Sequence, residues 1–135
     1  MTSIDLTPER FKQLFERFPA NKPLTMLNLL RFRDVAAYAA ERQQPQRTGA
    51  EAYAAYSRAV LPLLKGVGAR VVWNGKAQHT VIGPADEQWD EVLLVEYPSV
   101  AAFAQMVKSP EYQAIYFHRA AALLDSRLIA TVANG

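Results

Sequence analysis

The stretch that decides the fold is Leu93–Thr131, LLVEYPSVAAFAQMVKSPEYQAIYFHRAAALLDSRLIAT. An apolar run typical of a strand comes first, and two signals for the start of a helix follow it, at Ser99 and at Ser109. An earlier stretch, Met26–Tyr38 (MLNLLRFRDVAAY), has the same design, because its DVAAY parallels the SVAAF after the later strand. The near-repeat predicts a doubled β-α unit.

Apolar runs and capping residues elsewhere complete the predicted order of elements. The predicted strands cover residues 24–32, 69–82, 89–97 and 126–132. The predicted helices begin after Thr7, at Asp34, after Thr48, at Ser99 and at Ser109, and those from Asp34 and Ser109 extend to about Arg42 and Leu124. This order is typical of an α+β fold of the ferredoxin-like kind, β-α-β-β-α-β, with an antiparallel sheet and helices on one face. The first helix belongs to an N-terminal extension, residues 1–23, outside a main domain of residues 24–135.

The strands are apolar on both faces, although helices can cover only one face of such a sheet. Leu27 and Leu29 alternate with Met26 and Leu30 in the first strand, and the third strand has the same character. The second face therefore needs a cover, and the same face of another copy supplies it with two-fold symmetry. We predict a homodimer whose two sheets enclose a barrel-like interior, a dimeric α/β barrel.

Composition and charge narrow the class of protein. The 135 residues are enough for one domain, and 15 Lys plus Arg against 13 Asp plus Glu leave a net charge of only +2. The basic residues are dispersed, which argues against nucleic acid as a partner. The chain has no Cys, so disulfides and thiolate metal sites are excluded. Neither a leader pattern nor an apolar run of membrane-spanning length occurs, and a cytoplasmic location with no membrane partner is predicted.

The sequence resembles a known family in three places. These are Asn28 in the first strand, EYPS at 96–99, and the stretch 109–119 that begins SPEYQ and reaches an arginine. The pattern is similar to that of the domain-of-unknown-function family numbered 1330, of the dimeric α/β-barrel superfamily, over roughly residues 24–131. The resemblance implies a ferredoxin-like subunit, a dimer, and a pocket between sheet and helices. The N-terminal helix and the segment 35–48 depart from the family's usual pattern.

Relatives in that superfamily differ in chemistry. They include cofactor-independent oxygenases of aromatic polyketides, muconolactone isomerases and haem-binding enzymes. Membership alone therefore selects no reaction.

Two residues are candidates for moving a proton. Glu96 lies in the apolar run LLVEY, where a carboxylate is expected to have a raised pKa or a cationic partner. It is predicted to be a general base or a ligand-orienting group, or else to form an ion pair with Arg119 or Arg127. His118 is predicted to be an acid–base group or an axial haem ligand, although a lone His on a helix is more often a surface or packing residue. His79 has no metal-binding spacing with His118, so no metal site is predicted.

Six residues are candidates for binding a substrate. Arg119 offers a guanidinium that can hold a carboxylate or phenolate through two hydrogen bonds, and Asn28 offers a pocket amide. The alternative for Asn28 is a side chain bonded to neighbouring backbone. The others are aromatic wall residues and a hydroxyl at the start of the last strand: Tyr56, Trp73, Tyr112 and Ser126. Packing in the core or at a dimer interface is the alternative for the aromatic residues, which also include Tyr53 and Trp89.

These residues leave three functions open. The first is a homodimeric small-molecule-binding protein that acts as an enzyme without a tightly held cofactor, in which Glu96 or His118 moves a proton. Asn28 and Arg119 would then hold an anionic or enolate oxygen. The second is a ligand-binding or stress-related accessory protein without turnover, and the third is haem binding through His118. No serine-hydrolase, P-loop or dinucleotide-binding motif occurs, so those classes are excluded.

Overall fold

The computed structural model describes residues 2–135, which form one four-stranded sheet with helices. In chain order the elements are α1 (Pro8–Arg17), β1 (Leu24–Phe32), a 3₁₀ turn (Ala40–Arg42), α2 (Gly49–Gly66), β2 (Arg70–Lys76), β3 (Glu91–Tyr97), α3 (Val100–Lys108), α4 (Pro110–Ala122) and β4 (Leu123–Thr131). The strand order is β2-β3-β1-β4, and every neighbouring pair is antiparallel. This arrangement confirms the predicted α+β, ferredoxin-like fold, and the sheet is open rather than closed on itself.

Each α-helix begins where a side-chain oxygen accepts from a free backbone N–H of the first turn. Thr48 begins α2 with a complete capping box, in which its Oγ1 accepts from Glu51 N at 3.0 Å. Glu51 Oε1 in turn accepts from Thr48 N at 2.8 Å. Thr7, Ser99 and Ser109 cap α1, α3 and α4 in the same way through their hydroxyls. These four starts are where the sequence predicts them.

The predicted helix over residues 34–42 is wrong. This segment is irregular and contains only the 3₁₀ turn Ala40–Arg42. Amides of this segment form hydrogen bonds with other parts of the chain. For example, Ala37 N–H donates to Ala121 O of α4 at 2.9 Å. Such tertiary contacts outweigh a local helix preference. The two halves of the near-repeat therefore differ, because SVAAF is helical and DVAAY is not.

Three strand boundaries differ from the predicted ones by two residues or more. β2 ends at Lys76 instead of Ile82, β3 begins at Glu91 instead of Trp89, and β4 begins at Leu123 instead of Ser126. Val81 and Ile82 are 83% and 94% exposed, so their β-propensity meets no surface against which a strand could pack. The pairing of β2 with β3 also shifts register between Val71 and Trp73.

Alternation along β1 assigns its side chains to the two faces of the sheet. Leu24, Met26, Asn28 and Leu30 are buried, and the alternate residues are only half-buried. The three buried apolar residues, Leu24, Met26 and Leu30, belong to the core, together with side chains of α2, α3 and α4. We call this side the helix face and the other side the open face.

Gly49, at the start of α2, lies where the chain leaving β1 meets the end of α4. Its N–H donates to Arg33 O at 3.0 Å, and a Cβ at this position would lie 2.6 Å from Ala122 O. We expect Gly49→Ala to lower the free energy of unfolding by about 2–3 kcal/mol, because backbone on both sides must shift. Gly66→Ala is the control, since a Cβ there meets nothing within 4 Å, and it should change the value by less than about 1 kcal/mol. Urea unfolding measures both, and equal losses would contradict the expectation.

Candidate ligand site

The helix face carries the buried polar residues of the described chain. Asn28, Arg119 and Ser126 are 8%, 7% and 4% exposed. Asn28 lies in the middle of β1, Arg119 lies near the end of α4, and Ser126 pairs with Leu30 and so shares its face. All three are substrate-binding candidates from the sequence, and the layer between sheet and helices contains all of them.

Tyrosine rings line the same interior. Ring centroids of Tyr53 and Tyr56, both on α2, lie 5.3 Å apart. Those of Tyr56 and Tyr112 lie 6.2 Å apart, and those of Tyr112 and Tyr116 lie 6.0 Å apart. The hydroxyls of Tyr56 and Tyr112 are hydrogen-bonded at 2.8 Å. We call the following set the tyrosine–arginine cluster: Tyr53, Tyr56, Tyr97, Tyr112, Tyr116 and Arg119.

Burial raises the pKa of every tyrosine hydroxyl in the cluster. The pKa of Tyr53 rises to about 12, although the charge of Arg119 opposes the shift. A hydrogen bond with Tyr56 likewise opposes the effect of burial on the pKa of Tyr112. The hydroxyls therefore keep their protons at neutral pH and can donate hydrogen bonds.

Arg119 is buried, and its hydrogen-bonding partners are neutral groups. Its Nη1 donates to the main-chain oxygen of Ile4 at 2.7 Å, and tyrosine side chains lie around it. None of the ion pairs formed within residues 2–135 includes Arg119. A guanidinium is always charged and carries five N–H donors, so a buried one is unfavourable without an anionic partner.

Asn28 and Ser126 bond to the backbone through one polar atom each. Asn28 Nδ2 donates to Met26 O at 3.4 Å and to Leu93 O at 3.3 Å, and both bonds are long. Ser126 Oγ donates to Ser3 O at 2.6 Å. Backbone oxygens thus accept from the side-chain nitrogen of Asn28 and from the hydroxyl of Ser126. The side-chain oxygen of Asn28 takes part in neither of the two bonds that its nitrogen forms.

Glu96 lies on the open face, opposite to the face that carries Asn28. Its Oε1 accepts from Arg70 Nε of β2 at 3.2 Å. The cationic partner is therefore Arg70, and not Arg119 or Arg127 as considered from the sequence. Because the side chains of Arg70 and Glu96 are 68% and 37% exposed, the ion pair contributes at most about 1 kcal/mol. Proton transfer by Glu96 stays a prediction.

The open face carries an apolar row that crosses all four strands. In sheet order, the row consists of Trp73, Leu94, Leu27 and Ile129. Trp73 is 55% exposed and Ile129 is 47% exposed. A polar row lies on one side of it, formed by Arg70, Glu96, Thr25 and Thr131. Trp73, a substrate-binding candidate from the sequence, thus belongs to an exposed sheet surface and not to the cluster.

His118 lies on the side of α4 against which the segment 35–48 packs. Its Nδ1 and the hydroxyl of Tyr38 are hydrogen-bonded at 2.7 Å, and Arg47 Nη1 donates to the same hydroxyl at 3.4 Å. Burial lowers the pKa of His118, and the charges of Arg47 and Arg42 lower it further. The sequence does not predict the Tyr38 partner, and the acid–base and haem roles of His118 stay predictions.

The lowered pKa of His118 predicts sensitivity to acid. An unfolded chain protonates a histidine near pH 6.5, whereas folded His118 is protonated only at a lower pH. Between these values the unfolded chain binds more protons, so stability falls as the pH falls below about 6.5. We expect His118→Gln to lose less stability than the wild type between about pH 7 and about pH 5.5, as measured by urea unfolding. His79→Gln, at an exposed position, is the control, and equal losses in all three proteins would rule the effect out.

Two members of the cluster are not among the candidate site residues predicted from the sequence. Tyr116 lies one helical turn after Tyr112, a spacing that could have indicated it. Tyr97 lies at the end of β3 on the helix face, which becomes evident only from the strand register. The contact of Arg119 with Ile4 joins residues 115 positions apart, and no local signal predicts it.

Two surface grooves lie near the carboxyl end of β1, and no residue of the cluster lines either of them. The larger groove has a volume of about 590 Å³ and is lined by Arg31, Phe32, Arg33, Asp34, Val35, Gln88, Trp89, Asp90 and Leu124. Two arginines face two aspartates there, so its charge is balanced. The cluster itself is enclosed, since all of its members except Tyr116 are buried.

Neither a metal-binding cluster nor a membrane-spanning helix occurs within residues 2–135. No three of their His, Asp and Glu side chains lie together in a way that could hold a metal ion. No helix in this range has the length and apolar character needed to cross a membrane.

Fold and cluster together define an α+β protein of the ferredoxin-like class with an arginine inside its sheet–helix layer. The family model DUF1330, a domain of unknown function, matches residues 36–132, and the chain belongs to this family. The match confirms the family that the sequence resembles; it includes residues 96–99 and 109–119, whereas Asn28 lies outside it. A comparison with curated proteins gives no significant match.

Solved structures share this architecture. A protein of unknown function from Rhodopseudomonas palustris is 44% identical, with a TM-score of 0.91, over 100% of this chain and 99% of that one. Its methylated form matches at 45% identity and a TM-score of 0.90, over 99% and 96%. A dimeric protein of unknown function with a ferredoxin-like fold, from Bacteroides fragilis, is 14% identical, with a TM-score of 0.54, over 85% of this chain and 100% of that one. The last likeness concerns the fold alone.

Proposed function

We propose that this protein binds a small organic anion, a carboxylate or phenolate on an aromatic or apolar body, at Arg119. The observation that carries the proposal is that Arg119 is 7% exposed and forms no ion pair within residues 2–135. Taking a charge out of water costs several kcal/mol unless an opposite charge compensates it. An oxyanion supplies that charge and matches the paired N–H groups of a guanidinium.

The tyrosines of the cluster suit the rest of such a ligand. Their rings provide flat apolar walls for an aromatic or aliphatic body. The hydroxyl of Tyr53, and one hydroxyl of the bonded pair Tyr56 and Tyr112, keep hydrogens that they can donate to an oxyanion next to the guanidinium. The oxygen of Asn28 offers an acceptor in the same layer for a hydroxyl of the ligand.

The open face supports a homodimer. Its apolar row exposes Trp73 and Ile129 at the two ends and has Leu94 and Leu27 between them. Contiguous apolar surface of this kind is typical of an interaction site, and a two-fold related copy presents the same row to it. The dimeric relative in fold from Bacteroides fragilis adds support.

Acid–base turnover of the bound anion is a second candidate, favoured by the hydroxyl pair of Tyr56 and Tyr112 at 2.8 Å. In this pair one hydroxyl donates to the other, so the second keeps a hydrogen that it can donate to an enolate or phenolate oxygen. Glu96 lies on the other face and His118 contacts Tyr38, so this candidate assigns the hydrogen bond that stabilises the oxyanion to the tyrosines. Mass spectrometry of a metabolite mixture incubated with the protein tests it, and a mixture left unchanged would count against turnover.

Calorimetry with a pair of isosteric probes tests the binding proposal. Benzoate carries the carboxylate, and benzamide replaces it with a neutral group of similar shape. Hydrogen bonds to charged groups contribute about 1.5–3 kcal/mol, so benzoate should bind at least about tenfold more tightly. Equal affinity for the two probes, or no binding of either, would overturn the proposal. Native mass spectrometry of the same preparation reports the subunit number and any retained ligand.

A further inference from the structure

We propose that residues Ser3–Thr7, which we call the N-terminal strap, form a displaceable lid over Arg119. An anionic ligand opens the lid by replacing the main-chain oxygen of Ile4 on the guanidinium. This inference rests on the proposed anion binding at Arg119 and adds the way in which the enclosed site is reached and regulated.

Ser3 fastens the first end of the strap to β4. Its N–H donates to Asp125 Oδ1 at 2.8 Å, and its carbonyl oxygen accepts from Ser126 Oγ at 2.6 Å. Asp125 is itself held in place, because its Oδ1 also accepts from Arg127 Nη1 at 2.8 Å. The strap therefore joins the corner between α4 and β4 as an ordered segment and not as a loose end.

The next two residues of the strap contact the cluster directly. Ile4 O accepts from Arg119 Nη1 at 2.7 Å, and the carboxylate of Asp5 accepts from the hydroxyl of Tyr116. The Ile4 oxygen thus occupies a donor position that a ligand carboxylate would also need. A carboxylate is a stronger acceptor for a guanidinium than a neutral carbonyl, so the ligand can displace the strap.

Little apolar burial holds the strap in its closed position. Ile4 is half-buried, and the other strap residues are exposed. The helix that follows, α1, has no fully buried residue and contacts the core through partly buried side chains such as Phe11. Segments with few buried contacts open locally without unfolding the rest of the protein. Opening of the strap is therefore compatible with an intact sheet–helix layer.

Closure and anion binding compete for Arg119, so each must weaken the other. Hydrogen–deuterium exchange over residues 2–17 of the full chain, with and without saturating benzoate, measures this competition. We expect benzoate to accelerate amide exchange in the strap about fivefold. Ile4→Ala removes the half-buried side chain without changing any charge, and it should accelerate exchange without ligand and lower the Kd for benzoate about fivefold. Leu6→Ala, at a strap position that is 41% exposed, is the matched control and should leave both quantities nearly unchanged.

The two proposals fail in different ways. If benzoate binds but amide exchange in the strap stays the same, the lid proposal is overturned and the proposal of anion binding at Arg119 stands. An Ile4→Ala protein with faster exchange but an unchanged Kd also overturns the lid. If neither the wild type nor Ile4→Ala binds benzoate, both proposals are overturned together.

Discussion

Arg119→Met is expected to unfold at a higher urea concentration than the wild type and at the same time to lose its affinity for benzoate. Methionine fills a similar volume but removes a buried charge that has no ion-pair partner within residues 2–135. Replacing buried charged groups by apolar ones of similar size often stabilises a protein by about 1–4 kcal/mol. The loss of a charged hydrogen-bond donor should weaken benzoate binding by about 10- to 100-fold. Urea unfolding and calorimetry measure the two effects.

The control is Arg58→Met, at an exposed arginine of α2. This change should alter the free energy of unfolding by no more than about 0.5 kcal/mol and leave benzoate binding as it is. If Arg119→Met instead lowered the free energy of unfolding by several kcal/mol, the guanidinium would be a structural group. Its contacts with Ile4 O and with the tyrosines would then be enough to stabilise it. A ligand-binding role would then have no physical basis, because its argument is the unpaired charge.

Leu27→Glu is expected to convert the proposed homodimer into monomers. Leu27 lies in the middle of the apolar row of the open face, between Leu94 and Ile129. In a face-to-face dimer, each copy would bury a carboxylate there without a partner, at a cost of about 3–5 kcal/mol. The dimer Kd should therefore rise on the order of a thousandfold. Analytical ultracentrifugation over a concentration series measures the change.

Leu61→Glu is the matched control for this interface. Leu61 is 44% exposed on α2, on the other side of the molecule from the open face. The substitution makes the same change in charge and volume, and the dimer Kd should stay that of the wild type. A wild-type protein that is monomeric at micromolar concentration would contradict the dimer proposal. An equal rise of the dimer Kd with the two substitutions would contradict it as well. Circular dichroism checks that both variants are folded.

The sequence predicts the fold well where the signals are local. A hydroxyl before a helix satisfies amides within three residues, so Thr7, Thr48, Ser99 and Ser109 mark the four helix starts correctly. The apolar runs predict all four strands, and their order in the chain predicts the ferredoxin-like topology. The wrong prediction of a helix over residues 34–42 has a non-local cause, because amides of this segment form hydrogen bonds with the end of α4.

The candidate site was less accessible to sequence reasoning. Asn28 and Glu96 both lie in apolar runs, yet they lie on opposite faces of the sheet, since a difference of one residue in strand register reverses the face. The sequence indicates that Arg119 offers a guanidinium that could hold an anion, but its lack of an ion pair appears only once the elements pack. The strap contacts depend on the same long-range packing, which no spacing in the sequence records.

The irregular pairing of β2 bears on how copies of this chain can associate. β2 is an outer strand of the sheet, its register with β3 shifts between Val71 and Trp73, and Arg70 and Lys76 stand at its two ends. A bulged rim with charged ends is a poor template for a further strand from another molecule. Growth of the sheet by addition of a strand is thereby hindered at this rim, so another copy that meets β2 has side chains and not backbone hydrogen bonds to recognise.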